Sequence, residues 1–202
     1  MLVIILHGVA LAFGLIIPFG AQNIFIFNQG ATQRKFIAAF PAVITASICD
    51  TLLILAAVWG ISVIVLSIPV LQYAFFFIGL FFLLYMGYVI WNGTTNRGSH
   101  YPVAMKPKRQ ILFAITISLF NPHAILDMIG VMGTSSLSYS GAERGIFTFS
   151  AIMVSWCWFF GVAFLGKIIG DIDEDGMFIR LINKISALLL WSVAIFLMYQ
   201  FF

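Results

Sequence analysis

The sequence predicts an all-helical integral membrane protein whose six transmembrane helices form two inverted three-helix repeats. Of its 202 residues, 62 % are hydrophobic and only 8 % are charged, whereas a soluble domain carries about 25 % charged residues. Apolar runs of the ~20 residues that cross a hydrocarbon layer recur along almost the whole chain. These observations exclude an ordinary soluble domain.

Apolar length and helix-breaking residues define the spans, which we place at residues 2–28, 36–66, 68–91, 110–133, 144–167 and 178–201. The polar segment 92–109 is the longest hydrophilic interruption, and its Pro, Gly and basic residues are typical of a loop. This loop divides a single transmembrane domain into repeat one, residues 1–91, and repeat two, residues 110–202.

Two short similarities between the halves favour an internal repeat. Pro18 in the first span corresponds to Pro122 in the fourth, and SICD at 47–50 corresponds to SWCW at 155–158. Because each half holds three spans, the second half enters the membrane upside down. Inverted repeats of this kind occur in many secondary transporters.

Basic residues indicate the orientation of the chain in the membrane. Of the ten Lys and Arg residues, only Arg144 lies away from the loops that follow spans one, three and five and from the span ends that border those loops. Cytoplasmic loops carry an excess of Lys and Arg, so these three loops are predicted to be cytoplasmic and both termini to be outside. The basic residues form no continuous stripe, and we therefore expect no nucleic-acid partner.

The first span contains an irregular segment, GLIIPFGAQN at residues 14–23. Irregular backbone at membrane depth survives only where protein or a water-filled cavity surrounds it. We therefore predict a broken helix at Pro18 and Gly20, near the midplane, with Gln22 and Asn23 in a binding site. A simple proline kink and hydrogen bonding between helices by the two amides are the alternatives.

The fourth span contains FNPHAILD at residues 120–127, which predicts a second break. Asn is a preferred N-cap and Pro is favoured at the first helical position, so Asn121 and Pro122 are typical of a half-helix that starts in mid-membrane. Its free N–H groups and positive dipole end can hold a carboxylate. His123 and Asp127 then share one face, although a packed histidine is an equal interpretation of His123.

Two carboxylates lie inside the predicted spans, Asp50 and Asp127. A charged Asp at the centre of a span costs at least about 2.5 kcal/mol, so such a residue is a functional hypothesis by default. The spans contain no Lys or Arg near their centres to neutralise either group. The missing partner is a cationic ligand or a proton, and a purely structural hydrogen bond is the alternative.

The two cysteines, Cys49 and Cys157, form no C-x-x-C motif and are interpreted as small buried packing residues. Their corresponding places in the two halves leave a membrane thiol-disulfide relay as a remote alternative. The loop DIDEDG at 171–176 resembles the start of a calcium loop but lacks its final Glu, so no metal is expected. Gly166 and Gly170 form a G-x-x-x-G pair, the pattern that would allow a homodimer.

At these residues the sequence resembles the lysine exporter (LysE) family of bacterial amino-acid efflux proteins. GLIIPFGAQN followed by NQGATQRK is similar to the family's opening signature, G-x-x-x-P-x-G-P-Q-N with a later Q-G and basic residues, although Ala21 replaces a Pro. NPHAILD at 121–127 is similar to the N-P-x-x-x-L-D of the branch that exports lysine and arginine. Asp50 also fits that branch.

The resemblance implies a secondary active exporter, an antiporter, in the bacterial inner membrane, and neither an enzyme nor a protein with a cofactor. L-Lysine and L-arginine are the expected substrates, and neutral amino acids or another small solute with proton coupling are the alternative. The residues expected to bind substrate or couple protons are Asp50, Asp127, Asn121, His123, Gln22 and Asn23, and the helix breaks are expected at Pro18, Gly20 and Pro122.

Overall fold

The computed structural model describes residues 1–17, 20–60, 69–92, 104–119, 128–173 and 177–201. Every regular element in these ranges is helical, which agrees with the predicted class. The helices are α1 Leu2–Ile16, α2 Ala21–Thr32, α3 Phe40–Val58, α4 Pro69–Asn92, α5 Pro107–Leu119, α6 Gly141–Ile172 and α7 Met177–Phe201. A 3₁₀ turn at Phe36–Ala39 precedes α3, and a π-helical segment at Met128–Gly133 with a helical turn at Thr134–Ser136 precedes α6.

Two of the described helices are long and apolar enough to cross a membrane by themselves, Phe36–Val58 and Gly141–Ile172. The bent pair α1 and α2 adds a third span if the two helices form one broken span. Helices α4 and α7 have 24 and 25 residues, which exceeds the ~20 residues that a crossing needs. The described part of the chain is therefore that of a helical membrane protein.

The second predicted span ends earlier than its apolar run suggests. α3 ends at Val58 rather than at residue 66, and Gly60 follows with a φ of +77° while its N–H bonds to the Ala57 carbonyl. Glycine adopts this left-handed conformation without strain and commonly ends helices. The apolar sequence beyond it carries no mark of the helix end, which explains the wrong boundary.

The fifth predicted span is longer than residues 144–167, because α6 extends from Gly141 to Ile172. Its 32 residues measure about 48 Å at the helical rise of 1.5 Å per residue, more than the roughly 30 Å of a hydrocarbon layer. The extension carries Lys167 and Asp171, which form an i,i+4 ion pair. A span predicted from apolar residues alone stops before a helix end that carries charged residues.

The first predicted span is interrupted, as the sequence predicted. α1 and α2 are inclined by 81° to each other, and Gly20 is the N-cap of α2 with extended backbone, φ −80° and ψ −179°. Pro18 lies outside the described residues. The amide-bearing segment that starts α2 is consequently a helix N-terminus and not the middle of a continuous helix.

Helices α2 and α6 pack with their backbones in direct contact. A Cβ atom added at Gly30 would lie 2.0 Å from the Ala163 carbonyl oxygen, and one at Gly166 would lie 2.2 Å from that of Phe27. Gly170 meets α2 in the same way. The G-x-x-x-G pair is therefore used for packing within one chain and gives no support to the predicted homodimer.

The outer surface of the helices is apolar, as a bilayer requires. Phe149 and Phe164 of α6 are largely exposed, and a groove of about 400 Å³ runs between α1 and α6 beside Phe13 and Cys157. Cys49 is buried as predicted, but Cys157 is exposed, so its interpretation as a buried packing residue is wrong. Apolar neighbours in sequence do not reveal which face of a membrane helix meets lipid.

Candidate functional site

The carboxylate of Asp50 lies at the centre of the candidate site. Asp50 is in the middle of α3 and only 4 % exposed. The Gln22 side chain donates from Nε2 to Oδ1 at 3.2 Å, and the Ser155 hydroxyl donates to Oδ2 at 2.9 Å. α2, α3 and α6 thus meet at this one carboxylate.

Among the residues that the structure describes, both donors to Asp50 are neutral groups, an amide and a hydroxyl. Neither supplies the positive charge that normally accompanies a buried carboxylate. Among the described residues, no group of three or more His, Cys, Asp or Glu side chains is placed to hold a metal ion. The arrangement can therefore accept a cation or a proton from outside the protein.

Asn23, next to Gln22, connects the broken first span to α6. Its Nδ2 donates to the Ile16 carbonyl at 2.7 Å, and its Oδ1 accepts a hydrogen bond from Trp158 Nε1 at 3.1 Å. Ile16 is the last residue of α1, where carbonyl groups lack intrahelical partners. The Asn23 side chain therefore stabilises the break as well as lying within the site.

The N-terminus of α2 presents backbone N–H groups beside these side chains. The N-cap Gly20 offers no side-chain cap, and the first helical hydrogen bond runs from the Ile24 N–H to the Gly20 carbonyl at 3.2 Å. The N–H groups that precede Ile24 have no role in that ladder. With the positive end of the helix dipole, they form an environment that favours an anion.

Ser155 and Trp158 were not among the residues predicted from the sequence. They lie three apart on α6 and therefore share a face, and Trp156 between them donates to the Thr51 hydroxyl at 3.1 Å. The one available signal was the similarity of SWCW to SICD, which pairs Ser155 with Ser47 and Trp158 with Asp50. That similarity predicted a repeat but not that the two segments face each other.

Two further hydroxyl groups are buried near the site, those of Ser47 and Ser118. Both residues are fully buried, and neither hydroxyl has a hydrogen-bond partner among the residues that the structure describes. Ser47 shares the Asp50 face of α3 at three-residue spacing, and Ser118 lies in the last turn of α5. They add polar groups to the membrane interior beyond the predicted set.

The fourth-span half of the predicted site lies outside the described residues. This applies to Asn121, Pro122, His123 and Asp127. The structure therefore brings together Asp50, Gln22 and Asn23 of the predicted set, and leaves the position of the second carboxylate as a prediction.

Comparison with known proteins gives consistent results along the chain. A family model described as LysE type translocator matches residues 13–201. A putative amino-acid transporter of Bacillus subtilis, YisU, is 51 % identical over 190 residues, which cover 94 % of this chain and 86 % of that protein. The arginine exporter protein ArgO of Serratia proteamaculans is 28 % identical, covering 99 % of this chain and 98 % of its own.

A second ArgO, from Yersinia enterocolitica, is 29 % identical over 96 % of this chain and 95 % of its own. No solved structure matches significantly. The family match spans nearly all of the described helices, including those that carry Gln22, Asp50 and Ser155. The chain therefore belongs to the LysE type translocator family.

Proposed function

We propose that this protein is a secondary active exporter of amino acids with L-arginine and L-lysine as its main substrates. The observation that carries the proposal is a carboxylate, Asp50, which is buried at the meeting point of three helices and whose donors among the described residues are neutral. The arginine exporters among the relatives support a basic substrate. The cationic side chain of such a substrate would supply the positive charge that these donors do not provide to Asp50.

The same site suits both ends of an amino acid. We assign the substrate's cationic side chain to Asp50 and its carboxylate to the N-terminus of α2, beside Gln22 and Asn23. Discontinuous helices whose N-termini point at an anionic group are a known way to build transporter sites. By the sequence similarity between the halves, Asn121, Pro122 and His123 would provide a second such N-terminus, and Asp127 a second carboxylate.

The helix contacts support two inverted repeats of three spans. α1 packs against α6 and α5 packs against α3, while α2 packs against α6 as the π-helical segment packs against α3. When α1, α2 and α6 are replaced by their counterparts in the other half, α5, the π-helical segment and α3, the contact of α1 with α6 becomes that of α5 with α3. In the same way, the contact of α2 with α6 becomes that of the π-helical segment with α3. α4 and α7, the third helix of each half, pack against each other. Such an arrangement permits one half to rock against the other.

Polar contacts between the halves at the two opposite ends of α6 fit this scheme. Near the start of α6, His7 Nδ1 and the Tyr139 hydroxyl are 2.7 Å apart. Toward the other end, the fully buried Gln110 donates to the Ala38 carbonyl at 2.9 Å and accepts from the Ala42 N–H at 3.3 Å. The first contact joins an early turn of α1 to the segment that leads into α6. The second joins the first turn of α5 to the residues that lead into and begin α3.

We further propose that the protein lies in the bacterial inner membrane with loops 1–2, 3–4 and 5–6 in the cytoplasm and both termini outside. The distribution of Lys and Arg supports this orientation. Export would then be driven by the membrane potential or by antiport with protons. Reporter fusions at each loop and terminus measure the orientation directly.

One observation favours a neutral substrate as the second candidate. Each oxygen of Asp50 already accepts one hydrogen bond, so the carboxylate is partly satisfied without a cation. In that case Asp50 would carry a proton, and the substrate would be a neutral amino acid or another small solute. The thiol-disulfide relay has no comparable support, because Cys49 is buried while Cys157 lies on the outer surface of α6.

Counterflow in proteoliposomes tests the proposal without knowledge of the driving ion. Vesicles loaded with unlabelled amino acid should accumulate labelled arginine and lysine but not citrulline, the uncharged analogue of arginine. Asp50→Asn should reduce arginine exchange by about 100-fold, since removing one partner of a buried ion pair costs roughly 3 kcal/mol or more. Asp171→Asn, the same change at an exposed surface ion pair, is the matched control and should retain exchange.

Equal exchange of citrulline and arginine by the unmodified protein would favour the neutral substrate. Unchanged arginine exchange in Asp50→Asn would exclude the assignment of the cation to this carboxylate.

A further inference from the structure

Ser155 makes an unusual hydrogen bond for a hydroxyl on α6. Thr148 and Ser150, on the same helix, donate to the carbonyl four residues earlier, Arg144 at 2.7 Å and Ile146 at 2.8 Å. Such bonds within the helix are the usual choice of a buried Ser or Thr. Ser155 is fully buried and instead donates across the interface to Asp50.

We propose that Ser155 is a positioning residue for Asp50, which it holds so that both carboxylate oxygens can receive the guanidinium group of arginine. The inference rests on the proposed function and deepens it, because it separates arginine from lysine as the preferred substrate. Neither the sequence motifs nor the family match assigns a role to this residue.

The hydrogen bonds that Asp50 already accepts limit what else its carboxylate can bind. An ionised carboxylate offers about four acceptor positions, two on each oxygen. Gln22 occupies one on Oδ1 and Ser155 one on Oδ2. Among the described residues no other group occupies the remaining position on each oxygen, and these two positions would suit the paired N–H groups of a guanidinium.

Lysine gains less from this arrangement. Its ammonium group is a compact charge with freely rotating donors, which needs one oxygen and no fixed plane. A guanidinium is planar and rigid, so its two hydrogen bonds depend on the orientation of the carboxylate plane. Losing the Ser155 hydroxyl would free one oxygen of Asp50 and would thus weaken arginine binding more than lysine binding.

The position of Ser155 also links binding to the packing of the two proposed halves. Asp50 and Gln22 lie in the first half, whereas Ser155 lies in the second. A movement of α6 away from α3 would remove the Ser155 donor and release the carboxylate plane. The guanidinium site is therefore complete only while α6 lies against α3 as in this structure.

Three variants test the proposal by counterflow, with KM and maximal rate measured separately for arginine and lysine. Ser155→Ala should raise the KM for arginine about tenfold, the effect of losing one hydrogen bond to a charged group, and that for lysine less than about threefold. Ser155→Thr keeps the hydroxyl and should restore the arginine preference. Ser150→Ala removes a hydroxyl whose hydrogen bond in the described part of the chain lies within α6, and it should leave both KM values unchanged.

The outcomes separate this inference from the proposed function. If the unmodified protein exchanges neither arginine nor lysine, the proposed function fails and this inference fails with it. If it exchanges both but Ser155→Ala keeps the normal ratio of KM values, only the inference is refuted. An equal loss of maximal rate for both substrates in Ser155→Ala would indicate a structural role and would also refute it, as would a preference of the unmodified protein for lysine.

Discussion

Gly166 provides a severe test of the packing that holds α6 against α2. A Cβ atom at this position would lie 2.2 Å from the Phe27 carbonyl oxygen and 3.0 Å from its carbonyl carbon. Because unbonded heavy atoms rest roughly 3.5 Å apart, Gly166→Ala requires the two helices to separate by about 1 Å. Neither contacting atom belongs to a flexible side chain that could turn aside.

The expected cost follows from this enforced separation. Overpacking of a close interface costs about 1–3 kcal/mol, and one kcal/mol corresponds to about 2–4 °C in Tm for a chain of this size. Gly166→Ala should therefore lower the Tm by several degrees. The same separation would lengthen the 3.1 Å hydrogen bond from Trp158 to Asn23, so arginine exchange should fall although no site residue is changed.

Gly161→Ala is the matched control, because Gly161 is on the same helix and a Cβ there meets nothing within 4 Å. An exposed helical Gly→Ala change stabilises by up to about 1 kcal/mol, so the Tm of this variant should stay constant or rise. Thermal melts of the purified protein in detergent, followed by tryptophan fluorescence, compare the two variants. Equal Tm values for them would refute the close packing of α2 and α6.

Three further predictions concern other parts of the chain. Asp127→Asn should reduce arginine counterflow by about tenfold or more if this carboxylate shares the substrate charge, and normal exchange would remove it from the site. The double variant Cys49→Ser, Cys157→Ser should exchange arginine at the normal rate. Loss of exchange at normal protein levels would indicate that the thiols take part in function. Gln110→Ala leaves the partly buried Ala38 carbonyl without its side-chain donor and the buried Ala42 N–H without its side-chain acceptor. The change should destabilise by about 1–3 kcal/mol, seen as a lower Tm in the same melts.

The membrane class and the break in the first span follow from local properties of the sequence. Apolar length and scarcity of charge require burial in lipid, whatever the partners of a helix are. The break at Pro18 and Gly20 was predicted because GLIIPFGAQN brings two glycines, a proline and two amides together within ten residues of an apolar span. Asp50 was identified because the cost of burying a carboxylate demands a reason.

The ends of the helices were less accessible from the sequence. The apolar run after Val58 continues past the point where α3 stops, and the charged residues Lys167 and Asp171 belong to α6 although they interrupt its apolar pattern. Both errors have one cause. A count of apolar residues shows which part of the chain can lie in lipid. A helix, however, ends where its backbone hydrogen bonds end.

The sequence by itself therefore determined that the chain is a helical membrane protein of the LysE type. It also identified Asp50, Gln22 and Asn23 as unusual polar residues within the apolar spans. Only the tertiary structure decided which residues of neighbouring helices form hydrogen bonds with these side chains. Ser155 looks like any serine on an apolar helix, and its bond to Asp50 exists because α2, α3 and α6 converge there. A hydrogen bond between residues 105 positions apart depends on that packing, which no local pattern encodes.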